Sequence, residues 1–300
     1  MNYTQWYVQN GKLDKHERWL VDNLMLETIT GSHAYGCQNK KSDYDILGII
    51  LPKYEHLYPQ KYGFIIGFDQ LPDFRRKELK GKKNRVLIGN KPVEAEWVSL
   101  IEFFVHAGLK GSPNLIESLF IKKELVTVGT KMGHYLRDNR RLFISMKSFH
   151  SFRGYANSQM HRIRQRNPET EERQQMIEKY GYDCKMSYHV LRLIDYMDQI
   201  LTLNDIDLMR NKEECKLMRA GEWGNFDRFD REFQKRMDHL DKLSRKCNLP
   251  PQPQSGALKK LLIEILEEHY SYDNKTTSTV GEYISTKDLK EQLDRIESKL

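Results

Sequence analysis

The segment Gly31-Ser32-His33-Ala34-Tyr35-Gly36-Cys37-Gln38-Asn39-Lys40-Lys41-Ser42-Asp43-Tyr44-Asp45-Ile46-Leu47-Gly48 constrains this chain more than any other stretch. It joins two apolar runs with β-favouring composition, residues 24–30 and 45–51, and Pro52 closes the second. The spacing predicts strand, glycine turn, strand. Glycines at the ends of the turn allow backbone N–H groups to approach an anion, and Ser32 adds a hydroxyl. Side chains alternate along a strand, so Asp43 and Asp45 share a face. Two adjacent carboxylates repel unless a cation lies between them, and magnesium accepts oxygen ligands from carboxylates and substrate phosphates together. A phosphate cradle followed by paired carboxylates points to metal-assisted phosphoryl transfer.

The rest of the chain sets the frame. Residues 14–23 have helical spacing, and 53–84 is polar and irregular, a long loop or insertion. Residues 85–91 and 93–98 form a predicted hairpin turning at Gly89-Asn90-Lys91. From Ser99 the period becomes helical, with Leu100, Phe103, Phe104 and Ala107 on one face. Gly111-Ser112-Pro113-Asn114 then stops that helix and caps the next. Beyond residue 127 helical stripes dominate, such as Phe226, Phe229, Phe233, Met237 and Leu240, and Leu289, Leu293, Ile296 and Leu300. The expected fold is therefore α+β: a small mixed sheet with flanking helices over 1–126, then an all-helical domain over 127–300. Residues 271–283 are expected to be mobile and 285–300 to form a terminal amphipathic helix.

Three hundred residues with 39% hydrophobic and 30% charged side chains suit a globular protein of two packed units. No apolar run reaches the ~18–20 residues that span a bilayer, and the N-terminus lacks a signal-like apolar core. A cytoplasmic protein without membrane contact is the expectation. Four scattered cysteines without a CxxC pair argue for reduced thiols. The net charge of +7 favours a polyanionic partner.

Asp183 is placed to cap a helix on which Lys185, His189 and Arg192 follow at i, i+4 and i+7, a cationic face for a triphosphate or RNA backbone. Upstream, Arg153, Asn157, His161 and Arg164 share another face, with Arg162 and Arg166 nearby. A solvated face is the simpler reading there. Phe152 and Tyr155 read as core residues, with base stacking as the alternative.

The order Gly-Ser-x-Ala-x-Gly, then Ser-Asp-x-Asp-x-x-Gly-Ile, resembles the signature of the DNA polymerase beta nucleotidyltransferase superfamily. More narrowly, it is similar to predicted nucleotidyltransferases associated with RNA ligases in phages and bacteria. Lys110-Gly-Ser-Pro-Asn-Leu-Ile-Glu-Ser-Leu-Phe120, Gly181-Tyr-Asp-Cys-Lys185-Met-Ser-Tyr-His189-Val-Leu-Arg192-Leu and Leu217-Met-Arg219-Ala-Gly221-Glu222 extend the likeness over about residues 24–224. The resemblance implies that Gly31, Ser32 and Ser42, with Lys185, His189 and Arg192, bind the nucleotide. It implies Asp43 and Asp45 as catalytic ligands of two Mg2+ or Mn2+ ions. It also calls for a third carboxylate on a neighbouring strand, Glu96 by its distance from Ser99-Leu100-Ile101-Glu102-Phe103, with Glu94 as the alternative. The implied reaction moves an NMP from an NTP, ATP foremost, to a hydroxyl, with a role in RNA repair and an RNA end as acceptor. A protein hydroxyl, or nucleotide or RNA binding without chemistry, are the rival readings.

Overall fold

The computed structural model describes residues 2–40, 42–63, 76–79, 86–168 and 170–276. The chain divides into two compact units, residues 1–262 and 263–300. In chain order the elements begin with helix α1 (Tyr3–Gln9), α2 (Trp19–Asp22), strand β1 (Leu24–Thr30), the single turn α3 (Gly31–Ala34), β2 (Tyr44–Ile50) and α4 (Tyr54–Leu57). Strands β3 (Arg76–Leu79), β4 (Val86–Ile88) and β5 (Lys91–Ser99) follow, then α5 (Leu100–Phe103), α6 (Pro113–Leu119) and β6 (Val126–Gly129). The remainder is helical: α7 (Lys131–Asp138), α8 (Met146–Gln165), α9 (Glu171–Tyr180), α10 (Cys184–Leu203), α11 (Lys212–Ala220), α12 (Phe226–Ser244) and α13 (Ser255–Thr276). The fold is α+β, a mixed sheet with flanking helices followed by a helical region.

The sheet runs β3-β5-β2-β1-β6, with β4 also paired to β5. β1 is antiparallel to β2 and β6, whereas β2 and β5 are parallel. Alternation along these registers separates two faces. One carries Ile46, Val93, Ala95 and Trp97, which join Tyr7, Leu13 and Leu20 in a hydrophobic core. The other carries Thr30, Asp45, Glu94 and Glu96.

Both predicted strands and the hairpin are present, and the stripe of α12 is buried at Phe229, Phe233, Met237 and Leu240. Several expectations need correction. Residues 14–23 make a 3-10 turn (Lys15–Glu17) and then only one α-turn, because the chain must leave the helix at Asn23 to enter β1. The stretch 53–84 contributes a strand, β3, whose Lys77 and Glu78 lie opposite Trp97 and Glu96. The stripe from Leu100 is buried, but beyond Phe103 it winds as a π-helix, with Lys110 N–H bonded to the Val105 carbonyl at 3.1 Å. The boundary expected at 126/127 falls inside β6, which pairs with β1, so the sheet continues to Gly129. Residues 271–276 belong to α13; the remainder of the segment expected to be mobile, and the terminal helix over 285–300, lie outside the described residues. Among the described residues, no helix is long and apolar enough to cross a membrane.

Helix α1 has no counterpart in the predicted elements, and its position has a specific cause. An Asn2/Gln5 capping box starts it. Its first-turn N–H groups at Tyr3 and Thr4 then donate to the carboxylate of Glu27, at 3.0 and 2.7 Å. Glu27 is fully buried in β1 and also accepts from the hydroxyls of Thr4 and Thr127. Trp97 Nε1 closes the network on Thr4 Oγ1 at 2.8 Å. A helix N-terminus thus neutralises a buried carboxylate and covers the core face of the sheet. Glu27→Ala strands these donors and is expected to cost on the order of 3 kcal/mol. Urea unfolding checks it: an unchanged midpoint would show that α1 is held by its apolar contacts alone.

Candidate active site

β1 hands directly into α3, and the handover sets the site. Gly31 has φ +61°, and a Cβ built there would lie 1.8 Å from Asp45 Oδ2. Asp45 is the register partner of Thr30, and Thr30 Oγ1 donates to its carbonyl at 3.1 Å. Only glycine accommodates both the backbone conformation and the carboxylate lying against it. Gly31, Ser32, Ser42, Asp43 and Asp45 line one polar cavity of ≈ 580 Å³. His33, on the same turn, stacks on Tyr44 with ring centroids 4.0 Å apart.

The opposite wall comes from the helical region. Lys185, Tyr188 and His189 of α10, Arg219 of α11 and Glu172 of α9 complete the cavity lining. Asp183 caps α10 as expected, accepting from Met186 N–H at 2.8 Å. Burial pushes His189 well below the ordinary histidine pKa, and the charges of Arg192, Arg173, Lys185 and Arg219 push the same way. Both effects favour the neutral ring. His33 is lowered too, first by burial, with its bond to the Asp43 backbone opposing.

Arg192 departs from the predicted cationic face. It is 3% exposed, bonds Glu117 of α6, and lies 3.6 Å from the Tyr35 ring centroid. Tyr35 OH donates to the same Glu117 carboxylate at 2.9 Å. This buried knot joins α10 to α6 and to the turn after β1. Helical spacing placed Arg192 in line with Lys185, but its charge is committed to Glu117. Arg219, by contrast, was absent from the predicted site residues, although it stands in the Leu217–Glu222 segment that carries the resemblance. Its role depends on a contact with Ser42 177 positions away, which no local pattern encodes.

A second cavity of ≈ 230 Å³ shares Gly31, Asp45 and His189 with the first. Glu96, Arg76, Asn114, Tyr155 and Arg192 also line it. Both candidates for the third carboxylate project from the same face as Asp45. Glu94 is the direct register partner of Asp45, whereas Glu96 is opposite Leu47, 4% exposed, and bonded by the Arg76 guanidinium. Glu96 enters the cavity lining and Glu94 does not. The upstream basic helix is partly tied down, since Arg153 and Arg164 bond Asp241 and Asp230 of α12. Phe152 is core, while Tyr155 reaches the second cavity.

Among the described residues, no three of His, Cys, Asp and Glu gather into a metal-binding group. Magnesium typically takes only one or two protein carboxylates and completes its shell with water and substrate phosphates. Asp43 and Asp45, opening on a polar cavity beside two serines, fit that demand.

No protein-family model matches the chain, and no curated protein matches it. Among solved structures the chain is similar to a nucleotidyltransferase-like protein from Exiguobacterium sibiricum 255-15. The two share 9% identity and a TM-score of 0.28 over 91% of this chain and 92% of that chain. So loose an overlap gives no residue correspondence, and the site stands on its own geometry.

Arg192→Met should cost about 3–5 kcal/mol, because it leaves Glu117 buried without its partner, and pairing it with Glu117→Leu should recover part of the loss. Unchanged stability with weakened nucleotide binding would instead make Arg192 a ligand-binding group. The lowered pKa of His189 has a second consequence. Below about pH 6.5 the unfolded chain binds a proton at this residue that the folded chain does not, so stability falls as pH falls, by up to about 1.4 kcal/mol per unit. His189→Gln should flatten thermal stability between pH 6.5 and 5, leaving the smaller slope from His33. An unaltered slope would place the titration elsewhere.

Proposed function

We propose that this chain is a metal-dependent nucleotidyltransferase that moves an NMP from an NTP, ATP foremost, to an acceptor hydroxyl and releases pyrophosphate. One observation carries the reading. A single polar cavity joins a glycine-serine turn and the Asp43–Asp45 pair on one side to Lys185 and Arg219 on the other. Such a cavity has an anionic floor suited to a cation and a cationic wall suited to phosphates.

Asp43 and Asp45, with Glu96 or Glu94, would hold Mg2+ or Mn2+, which when bound supplies charge neutralisation for the phosphates and lowers the pKa of the acceptor hydroxyl. Gly31 lets the backbone approach the triphosphate, and Ser32 offers a hydroxyl donor, while Ser42, whose hydroxyl donates to Asn39 Oδ1, lines the same cavity. Lys185 and Arg219 balance the charge of the leaving pyrophosphate, and neutral His189 is available as a hydrogen-bonding group. The acceptor oxygen forms a bond to the α-phosphorus, the bond from that phosphorus to the bridging oxygen breaks, and the hydroxyl proton passes to solvent. Catalysis rests on orientation and electrostatics, with no covalent enzyme intermediate.

The second cavity is the candidate for the acceptor side, since it shares Asp45 with the first and is lined by Glu96. Arg76, Asn114 and Tyr155 are suited to a sugar-phosphate, and with the +7 charge this favours an RNA end.

Pyrophosphate release is the test, with each NTP, Mg2+ or Mn2+, and pooled RNA. Asp43→Ala and Asp45→Ala are expected to lower the rate by at least about 10³-fold while the fold survives. Glu96→Gln should be nearly as severe and Glu94→Gln mild, the reverse order identifying Glu94 as the third carboxylate. Full activity in a folded Asp43/Asp45 double variant would end the proposal. Label transferred to protein instead of RNA would move the acceptor to protein hydroxyls, and binding without release would make the chain a nucleotide-binding module.

A further inference from the structure

The segment after the glycine-serine turn leads to Asp43, and α11 meets it at Gly36, Cys37 and Ser42. Gly36 lies so close to α11 that a Cβ there would come within 3.3 Å of the Lys212 side chain. Cys37 is buried, with its thiol 3.8 Å from the Lys212 carbonyl. Arg219 makes the most specific contact. One guanidinium bonds the carbonyl of Cys37 and, at 3.1 Å, the hydroxyl of Ser42, bridging the two ends of the loop segment. Ser42 Oγ in turn accepts from Asn39 N–H at 2.9 Å and donates to Asn39 Oδ1 at 3.2 Å, which ties residue 42 to residue 39. Arg219 also stands over the Tyr188 ring, 5.5 Å from its centroid, and lines the larger cavity beside Ser32, Asp43 and Asp45.

A guanidinium has five donors in a rigid fork that matches phosphate geometry, whereas the loop contacts named here use two nitrogens. We propose that Arg219 is a positioning residue that couples the two events the site needs: it orders the 37–42 loop, which presents Asp43, and binds the triphosphate of the incoming nucleotide. Nucleotide binding and loop order then reinforce each other, and α11 takes part in assembling the site as well as in packing. This inference rests on the transferase reading and adds to the charge Arg219 supplies there a role in ordering the loop that presents Asp43.

The test uses the full chain, Mg2+ and the non-transferable analogue α,β-methylene ATP. In the wild type the analogue should raise the melting temperature and slow hydrogen exchange in peptides covering residues 36–43. Arg219→Gln should weaken analogue binding at least about tenfold and abolish the slowing. Arg219→Lys should keep part of the affinity, through its charge, and little of the loop protection. Should Arg219→Gln fail to fold, Ser42→Ala removes the Arg219 contact together with the Ser42 bonds to Asn39, and faster exchange over 36–43 without nucleotide is the expected result. A folded Arg219→Gln protein with wild-type affinity and protection overturns the inference and leaves the transferase reading standing. So does a lowered melting temperature with an undiminished analogue-induced shift, or unchanged exchange in Ser42→Ala. A wild type that binds no analogue overturns the transferase reading itself.

Discussion

The site depends on one steric fact: the carboxylate of Asp45 occupies the space where any side chain at residue 31 would begin. The antiparallel register of β1 and β2 forces the neighbourhood, since Thr30 is opposite Asp45 and the next residue must turn past it. A positive φ at Gly31 makes that turn possible without a left-handed penalty. Cradle and carboxylate are therefore a single geometric unit. Displacing β1 along β2 by one residue would put Asp45 against a different backbone atom and turn the opposing side chains to the other face.

A unit so local still needs a second wall, and the helical region supplies it through buried charge. Burying Glu117 and Arg192 costs desolvation free energy that their attraction repays only with good geometry. Here the carboxylate also accepts from Tyr35, and the guanidinium stacks against the Tyr35 and Tyr196 rings. The knot fixes α10 against the turn after β1. Lys185 and His189 therefore reach the cavity from a helix whose position is set by charge pairing at Arg192, one turn beyond His189. On the core face of the sheet Glu27 works the same way, with backbone N–H groups of α1 in the place of the arginine.

What could be read in the sequence divides along the range of the interactions involved. β1, β2 and the β4–β5 hairpin follow from alternation and turn residues, and the Asp183 cap from a pattern four residues long. Gly31, Ser32, Ser42, Asp43 and Asp45 form one segment, so their convergence with Lys185 and His189 needed only that segment to be a turn facing α10. Arg192 was placed by helical spacing and by the resemblance of the segment that carries it. Whether an arginine faces a cavity or a carboxylate depends on a residue 75 positions away, and periodicity carries no such information. β3 and β6 are short, four residues each, and owe their structure to partners in β5 and β1. Helix α1 needed Glu27, a charged residue inside an apolar strand, to be recognised as an anchor. Glu94 and Glu96 share a face, and only the path of Arg76 and the cavity wall separate them.

The charge arrangement gives the neutral state of His189 a consequence. Burial depresses its protonation first, and four cationic side chains, Arg192, Arg173, Lys185 and Arg219, push the same way. A histidine that became charged here would place another positive group opposite Asp43 and Asp45, where on the proposed reading a divalent ion must bind. A neutral ring avoids that competition while it retains a donor and an acceptor. It also lets the cavity keep its polarity, carboxylates at the strand end and fixed cations on α10 and α11, across the pH range in which an ordinary histidine titrates. On the proposed reading, Asp43 and Asp45 would hold the metal and Lys185 and Arg219 would meet the phosphates. Orientation would then be set by the scaffold before the acceptor arrives, which is what a reaction without a covalent intermediate requires of its protein.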